Sequence, residues 1–317
     1  MPTANPNRVD LFLYILLFIG SLGLLLKSSD WFVEAAEEIG LSLGISPFII
    51  GVTIVAFGTS LPELASSIAA VLAGQSEIVM GNVVGSNIAN ILLVLGITTI
   101  IAKEVKLDFS VLDIDIPFLL GSSFLLWFTL SDFNLSIFET IILLSCLVLF
   151  LINSFKREER ADKNARPEAG WRAYTLLILG GIFVYLSADW TITAIQKLSE
   201  IAQINPELIA LSLVALGTSL PEVAVSIAAA RRGKTGIAVG NVVGSNIFNS
   251  FAVLGIARLF GDLTIPENIV DFSLPFMVAV TLILTVISVS RIISRWEGVL
   301  LVILYIYFMG EVFKSAF

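Results

Sequence analysis

Two identical hexapeptides, GTSLPE, occupy residues 58–63 and 217–222, each inside a long apolar run. Both copies end in a glutamate, Glu63 in the first and Glu222 in the second. A carboxylate is costly in hydrocarbon, and ionisable residues inside apolar segments usually serve a function. Because the two glutamates stand at matched positions, we interpret them as functional groups and not as structural hydrogen-bonders.

The proline before each glutamate predicts a break in the helix that carries it. Pro62 and Pro221 have no N–H, so the carbonyls of Gly58 and Gly217 lose their helical partners. A broken helix in hydrocarbon is tolerated where it lines a cavity or is buried in protein. We therefore expect two broken helices to meet at mid-membrane with bare carbonyls, two carboxylates and four hydroxyls, those of Thr59, Ser60, Thr218 and Ser219.

These groups form a set of hard oxygen ligands without sulfur or nitrogen donors. Such a set suits Ca²⁺, Na⁺ or Mg²⁺ and does not suit zinc or copper. Ca²⁺ takes about six to eight oxygens, and two bidentate carboxylates with two main-chain carbonyls would supply about six. Because Mg²⁺ keeps several of its waters, a dry site favours Ca²⁺.

A second repeated motif, GNVVGSNI, follows each hexapeptide, at residues 81–88 and 240–247. Polar residues spaced four apart give each copy one polar helix face. These faces comprise Asn82, Ser86 and Asn90 in the first copy and Asn241, Ser245 and Asn249 in the second. The paired glycines of each copy allow close helix approach. The motif can therefore add amide and hydroxyl oxygens that bind Na⁺ or orient the glutamates.

The helices that must position these motifs belong to an apolar chain. Hydrophobic residues make up 57% of the 317 residues and charged residues only 14%, whereas a soluble domain carries about 25% charge. A soluble enzyme of this composition would expose large apolar patches, so we expect an all-α integral membrane protein. Ten transmembrane helices are predicted, at residues 10–39, 46–73, 78–102, 112–130, 135–154, 171–200, 205–230, 237–259, 269–289 and 296–313.

An internal repeat relates the two halves of the chain. Both motifs recur at an offset of 159 residues, as does the dipeptide Asp30-Trp31, which returns as Asp189-Trp190 and for which we expect a helix-anchoring role. About 28 of 47 aligned positions are identical between residues 51–97 and 210–256. Five spans separate equivalent positions, and because five is odd, the two five-helix repeats must be inverted. Inverted repeats are typical of secondary transporters, whose substrate site lies at the midplane.

The most polar stretch of the chain, residues 156–170, is predicted to be a short cytoplasmic linker. It separates the first inverted repeat, residues 1–155, from the second, residues 171–317. With this linker inside, roughly 13 Lys and Arg flank the inner ends of the spans and roughly 3 flank the outer ends, a strong positive-inside signal. We therefore expect a multi-pass protein of the cell membrane with both termini outside.

Composition also argues against other classes of protein. The chain has no His and a single Cys, Cys146, which excludes imidazole ligands, a Ser-His-Asp triad and an intrachain disulfide. The Lys and Arg residues form no long basic arm, so nucleic-acid binding is not expected. A cation channel is the remaining alternative from another class, but it would need a continuous pore, whereas an inverted repeat favours alternating access. We expect no enzyme activity.

Together the two motifs, present in both halves, resemble the α-repeats of the sodium/calcium exchangers of the cation/calcium antiporter superfamily. The resemblance covers essentially the whole chain and is nearest to compact prokaryotic members that lack a large cytoplasmic loop. It implies ten helices in two inverted halves and exchange of cytosolic Ca²⁺ for external Na⁺, electrogenic if three Na⁺ exchange for one Ca²⁺. Proton-coupled and potassium-dependent exchange by the same fold are the alternatives.

The resemblance also implies which residues bind the ions. Glu63 and Glu222 would be the carboxylates that both ions share, and the carbonyls of Thr59 and Thr218 would join them around Ca²⁺. The flanking Na⁺ sites would consist of Ser60, Ser86, Ser219 and Ser245 with the carbonyls of Ala56 and Ala215, and Asn90 and Asn249 would line the centre.

The remaining implications concern partners. Potassium-dependent members carry an acidic residue where this chain has Asn249, so K⁺ co-transport is not expected. We expect Ca²⁺ and Na⁺ as substrates, the lipid bilayer as surroundings, and no cofactor besides the transported ions. No obligatory protein partner is evident, and a monomer would suffice.

Overall fold

The computed structural model describes residues 6–107, 111–158, 168–201 and 219–315. Helices dominate these ranges. They are α1 (Pro6–Ser42), α2 (Pro47–Leu72), α3 (Glu77–Ala102), α4 (Val111–Leu130), α5 (Ile137–Glu158), α6 (Trp171–Ile201), α7 (Leu220–Arg231), α8 (Thr235–Phe260), α9 (Ile269–Ser288) and α10 (Arg295–Ser315).

Nine of these helices are long and apolar enough to cross a membrane, counted over the described residues. The predicted seventh span, 205–230, falls partly outside the described ranges, and its described part is α7. The prediction of an all-α membrane protein of two inverted five-helix repeats is confirmed. The boundaries of the two repeats and of the linker stay predictions.

One short pair of strands escaped sequence analysis. β1 (Glu104–Lys106) pairs antiparallel with β2 (Ile292–Ser294), and the central residues Val105 and Ile293 are fully buried. The pair joins the α3–α4 connection to the α9–α10 connection, so both connections lie on the same side of the bundle. Strands of three residues carry too little alternation to be recognised in a sequence.

The helices alternate in direction, which divides the bundle into two faces. On one face the N–H of Gly170, just before α6, donates to Glu38 Oε1 near the end of α1 at 3.2 Å; we call this the linker face. On the other face Ser76 Oγ donates to Thr264 Oγ1 at 3.2 Å, joining the α2–α3 and α8–α9 connections; we call this the distal face.

The interior of the bundle is formed by α2, α3 and α8. In the most apolar part of α8, 94% of the residues are buried, against 17% in α1 and 28% in α6. The two peripheral helices pack along each other, and Thr191 Oγ1 of α6 donates to Ser21 Oγ of α1 at 2.9 Å. The long pair α1 and α6 therefore lies outside a central block that carries both repeated motifs.

Wide π-helical turns interrupt the central helices at matched positions. Residues Asn90–Val94 of α3 and Asn249–Val253 of α8 both form π turns and are related by the same offset as the motifs. A third π turn, Gly51–Val55, lies in α2. Insertions of this kind are frequent at functional sites, and these three begin at, or one turn before, a residue predicted to bind ions. Two further π turns, Val111–Asp115 in α4 and Ile269–Ser273 in α9, have no predicted ion ligand beside them.

The predicted break at Pro62 is wrong for α2. The α-helix continues from Ala56 to Leu72 with Pro62 inside it. A proline removes one helical hydrogen bond, and membrane proteins tolerate such a loss where the backbone lines a cavity, as Gly58 and Pro62 do here. In the second repeat, α7 begins at Leu220 with Pro221 in its first turn; Gly217 lies outside the described residues.

Glycines let α2 and α8 approach closely, as the spacing of Gly240 and Gly244 predicts. The same prediction is wrong for Gly81 and Gly85 of α3, where an added Cβ would meet no described atom within 4 Å. A Cβ on Gly240 would lie 2.9 Å from Gly51 Cα and 2.8 Å from Val52 N, and one on Gly244 would lie 2.7 Å from Ala56 Cβ. These neighbours are mostly backbone atoms that cannot move aside. The contact therefore joins the first repeat to the second directly before the residues of the first hexapeptide.

We expect Gly240→Ala to lower the stability of the protein by about 1–3 kcal/mol, because the added methyl group overpacks the α2–α8 contact. Thermal unfolding of the purified protein in detergent measures the effect. Gly121→Ala in α4 is the matched control, since a Cβ there meets no described atom within 4 Å. Equal melting temperatures for the two variants would contradict the close packing.

Candidate functional site

The two glutamates lie together inside the bundle. Glu63 on α2 is 1% exposed, and Glu222 in the first turn of α7 is 0% exposed. Their carboxyl groups are close enough to interact electrostatically. Ser60 Oγ donates to Glu222 Oε1 at 3.2 Å, a bond between the two repeats. Each hexapeptide thus contributes to the surroundings of the other's glutamate.

Most of the carboxylate oxygens are unpaired by the protein. Both oxygens of Glu63 and Oε2 of Glu222 accept no hydrogen bond from any described residue. Two buried carboxylates side by side are strongly unfavourable unless cations or protons compensate their charge. Their burial without a basic partner among the described residues therefore calls for bound cations or protons to compensate the charge.

The two matched asparagines extend this set of unpaired groups. Asn90 and Asn249 are both 0% exposed, and neither their oxygens nor their nitrogens have a hydrogen-bond partner among the described residues. The hydroxyl of Ser219 is likewise unpaired within the described ranges. Buried polar groups almost always have partners in native proteins, so such a concentration favours a site for ions or water.

Thr59 brings several of the predicted ligands together. Its hydroxyl donates to Asn241 Oδ1 at 3.2 Å and lies 3.5 Å from Ser245 Oγ. The same hydroxyl is 3.3 Å from the carbonyl oxygen of Ala56. Thr59, Ala56 and Ser245 therefore surround one point where the α2 helix of the first repeat meets the α8 helix of the second.

Two predicted ligands lie outside the described residues, and a third, Ser86, lies on α3. Thr218 and Ala215 lie outside the described residues. Ser86 is buried on α3, 2% exposed. By the inverted symmetry it corresponds to Ser245, which the structure places beside Thr59.

A pair of serines that sequence analysis missed holds the motif helices in register. Asn82 Nδ2 donates to Ser67 Oγ at 3.0 Å, and Asn241 Nδ2 donates to Ser226 Oγ at 3.0 Å. The two bonds are related by the 159-residue offset. They tie α3 to α2 and α8 to α7, so Asn82 and Asn241 act as interhelical hydrogen-bonders. The shared offset of Ser67 and Ser226 was the signal that could have identified them.

A second missed contact crosses between the repeats. Asn87 Nδ2 of α3 donates to Ser250 Oγ of α8 at 2.8 Å, next to Asn249. The position equivalent to Ser250 in the first repeat is Ile91, so this bond has no symmetric counterpart. Sequence analysis missed it because it pairs residues that the repeat does not relate.

A cavity of about 360 Å³ leads from the two prolines toward the distal face. Its walls are formed by α2 and α6. The lining residues are Pro62, Ala65, Ser66, Ala69, Tyr185, Ala188, Asp189, Ile192 and Pro221. The cavity is lined by the prolines that directly precede Glu63 and Glu222, while the two glutamates are buried behind it.

The two glutamates are themselves buried, but the residues along the cavity are exposed, whereas their counterparts in the second repeat are not. In the cavity, Ala65, Ser66 and Ala69 are exposed. Their counterparts in the second repeat are Ala224, Val225 and Ala228, which are 3%, 0% and 3% exposed because α1 packs along α7. The symmetric path toward the linker face is therefore filled by α1.

An inverted two-repeat membrane fold, with unpaired oxygen ligands at its centre and a path open to one face, defines a secondary transporter. The family model described as "Sodium/calcium exchanger protein" matches residues 13–156 and 172–314. The chain therefore belongs to the sodium/calcium exchanger family, which comprises transporters and not enzymes. The family that the motifs resemble is thereby confirmed.

Similarity to individual relatives extends over the whole chain. Sodium/calcium exchanger MaX1 of Methanosarcina acetivorans is 36% identical, with 95% of this chain and 98% of the relative covered. Putative antiporter CaxA of Alkalimonas amylolytica is 34% identical over 93% of this chain and 97% of its own. A solved structure of the sodium-calcium exchanger NCX_Mj, soaked with Na⁺ and Sr²⁺, superimposes with a TM-score of 0.84 at 33% identity, covering 95% of this chain and 98% of that one.

Proposed function

We propose that this protein exchanges Ca²⁺ for Na⁺ across the membrane by alternating access. The observation that carries the proposal is the pair of buried, adjacent carboxylates whose oxygens are unpaired among the described residues. Oxygen ligands of this kind suit Ca²⁺ and Na⁺. The relatives named as sodium/calcium exchangers support the same pair of substrates.

In the proposed Ca²⁺ site the two glutamates bind the ion from opposite repeats. The carbonyls of Thr59 and Thr218 complete the first set of ligands, as the family resemblance implies. Six oxygens from these four residues would fall within the coordination number of Ca²⁺, about six to eight. Asn90 and Asn249 supply amide oxygens at the centre, where the π turns begin.

The proposed Na⁺ sites use the surrounding hydroxyl and carbonyl oxygens. Their members are Ser60, Ser86, Ser219 and Ser245, with the carbonyls of Ala56 and Ala215. The position of the Thr59 hydroxyl between Ala56 and Ser245 supports one of these sites. The glutamates contribute to both kinds of site, so Na⁺ and Ca²⁺ compete for them.

The charge of the pair makes exchange electrogenic at the stoichiometry that the family resemblance implies. Two ionised glutamates and one Ca²⁺ form a neutral site, whereas three Na⁺ leave it with one positive charge. A cycle of three Na⁺ against one Ca²⁺ then moves one net charge, about 2.3 kcal/mol per 100 mV of membrane potential.

The inverted repeat supplies the second state of the cycle. In the second state, α1 would move away from α7 and α6 would move onto α2. The path along Ala224, Val225 and Ala228 would then open. The path along Ala65, Ser66 and Ala69 would close. Only 17% and 28% of the residues in the apolar parts of α1 and α6 are buried, so the proposed cycle assigns the movement to these two helices.

The proposed orientation places the linker face in the cytoplasm of the cell and both termini outside. Lys and Arg concentrate on the connections of the linker face, which favours the cytoplasm. The β1–β2 pair supports this arrangement, because it holds the basic α3–α4 and α9–α10 connections on one side.

We expect purified protein in proteoliposomes loaded with Na⁺ to take up ⁴⁵Ca²⁺, and equimolar internal K⁺ to support no uptake. An inside-positive potential should accelerate uptake, because each cycle would move one positive charge outward. Glu63→Gln and Glu222→Gln should each lower the initial rate at least about 100-fold, since removing one partner of a buried charge site costs about 3–5 kcal/mol.

The matched control is Glu267→Gln, an exposed carboxylate in the α8–α9 connection, which should transport like the wild type. Size-exclusion chromatography checks that the glutamine variants fold. Uptake driven by a pH gradient without Na⁺ would replace Na⁺ coupling by proton coupling, and uptake that needs no counter-ion would indicate a channel.

We expect accessibility of the two matched paths to alternate. In a Cys146→Ala background, Ala69→Cys should react with a membrane-impermeant thiol reagent from the distal face, and Ala228→Cys only from the linker face. Labelling of one site should fall as ion gradients raise labelling of the other. Ala229→Cys, fully buried beside Ala228, is the negative control; labelling of both paths from the same face would contradict alternating access.

A further inference from the structure

One carboxylate in the access cavity has no role in the ion site. Asp189 of α6 is exposed and lines the cavity together with Pro62 and Pro221. It takes part in no hydrogen bond or ion pair with any residue that the structure describes. An ion in this cavity therefore lies near both this side chain and the prolines that precede Glu63 and Glu222.

The symmetric carboxylate on the other face is engaged by a cation of the protein. Asp30 of α1 corresponds to Asp189 through the repeat, and its Oδ1 lies 3.5 Å from Arg232 Nε. Arg232 Nη2 also contacts Glu34 Oε2 at 3.0 Å. A further ion pair joins Lys234 to Glu37. The closed path therefore has its carboxylate neutralised where α1 meets the α7–α8 connection.

The ion pairs around Asp30 have no counterpart around Asp189, because the matched residues differ in type. The positions equivalent to Arg232 and Lys234 in the first repeat are Ala73 and Gln75, and the position equivalent to Glu34 is Thr193. Asp189 therefore has no basic residue at the matched place. Its negative potential acts on the cavity, and narrow cavities with low-dielectric walls concentrate such a potential and raise the local concentration of cations.

We propose that Asp189 is a recruiting residue that binds cations transiently in the distal access cavity. Asp30 has the same role on the linker face, where Arg232 takes the place of the ion while that path is closed. The proposal rests on the proposed function, since it concerns the passage of Ca²⁺ and Na⁺ toward the carboxylate pair. It adds a contact with the substrate outside the site itself.

The test is ⁴⁵Ca²⁺ uptake at varied Ca²⁺ concentration in right-side-out and everted membrane vesicles, which present opposite faces. Asp189→Asn should raise the KM for Ca²⁺ about two- to fivefold, the size of one exposed charge pair, when Ca²⁺ is added on the distal face. The maximal rate and the KM on the linker face should not change. The KM difference should fade at an ionic strength of about 1 M, where the Debye length is about 3 Å.

Two further variants separate recruitment from a structural role. Asp189→Glu keeps the charge and should restore the wild-type KM, and Glu267→Gln removes an exposed distal charge outside the cavity and should change nothing. A lower maximal rate with an unchanged KM, or a KM difference that persists at high salt, would overturn recruitment while wild-type exchange remains. Absence of Na⁺-driven uptake in the wild type would instead overturn the proposed function and this inference together.

Discussion

Two carboxylates buried side by side within a membrane are the constraint on which the rest of this structure depends. Glu63 and Glu222 have almost no exposure, and most of their oxygens are unpaired among the described residues. Hydrocarbon surroundings make such a pair unfavourable by several kcal/mol per charge unless cations compensate it. The remaining features can be understood as the means of holding this pair together while giving ions a path to it.

The supporting structure is built from direct contacts between the two repeats. Glycines bring the backbones of α2 and α8 together, Ser60 reaches the opposite glutamate, and the Asn87–Ser250 bond joins α3 to α8 beside the π turns. Within each repeat, an asparagine–serine bond fixes the motif helices. The predicted ion ligands therefore lie on the central block, and in the proposed cycle the changes in access fall to the peripheral helices α1 and α6.

The sequence was sufficient to predict the ten-helix topology, the inversion and the location of the glutamates, because long apolar spans and a 159-residue repeat are strong signals. It was insufficient where the outcome depended on packing. Pro62 lies inside a continuous helix that its residue type alone would break, and the π turns at Asn90 and Asn249 leave no mark in residue type. The one-sided access also escaped prediction, since the nearly identical segments Ala65–Ala69 and Ala224–Ala228 differ in whether a peripheral helix covers them. The roles of the individual ligands stay predictions.

The most direct test of the shared carboxylate site is equilibrium binding of ⁴⁵Ca²⁺ to the purified protein in detergent as Na⁺ is raised at constant ionic strength. Competition for the same two glutamates predicts one Ca²⁺ bound per chain. The apparent Kd should rise more steeply than in proportion to Na⁺, because more than one Na⁺ displaces each Ca²⁺, and K⁺ should have no such effect. Binding of Ca²⁺ that is indifferent to Na⁺ would contradict the account.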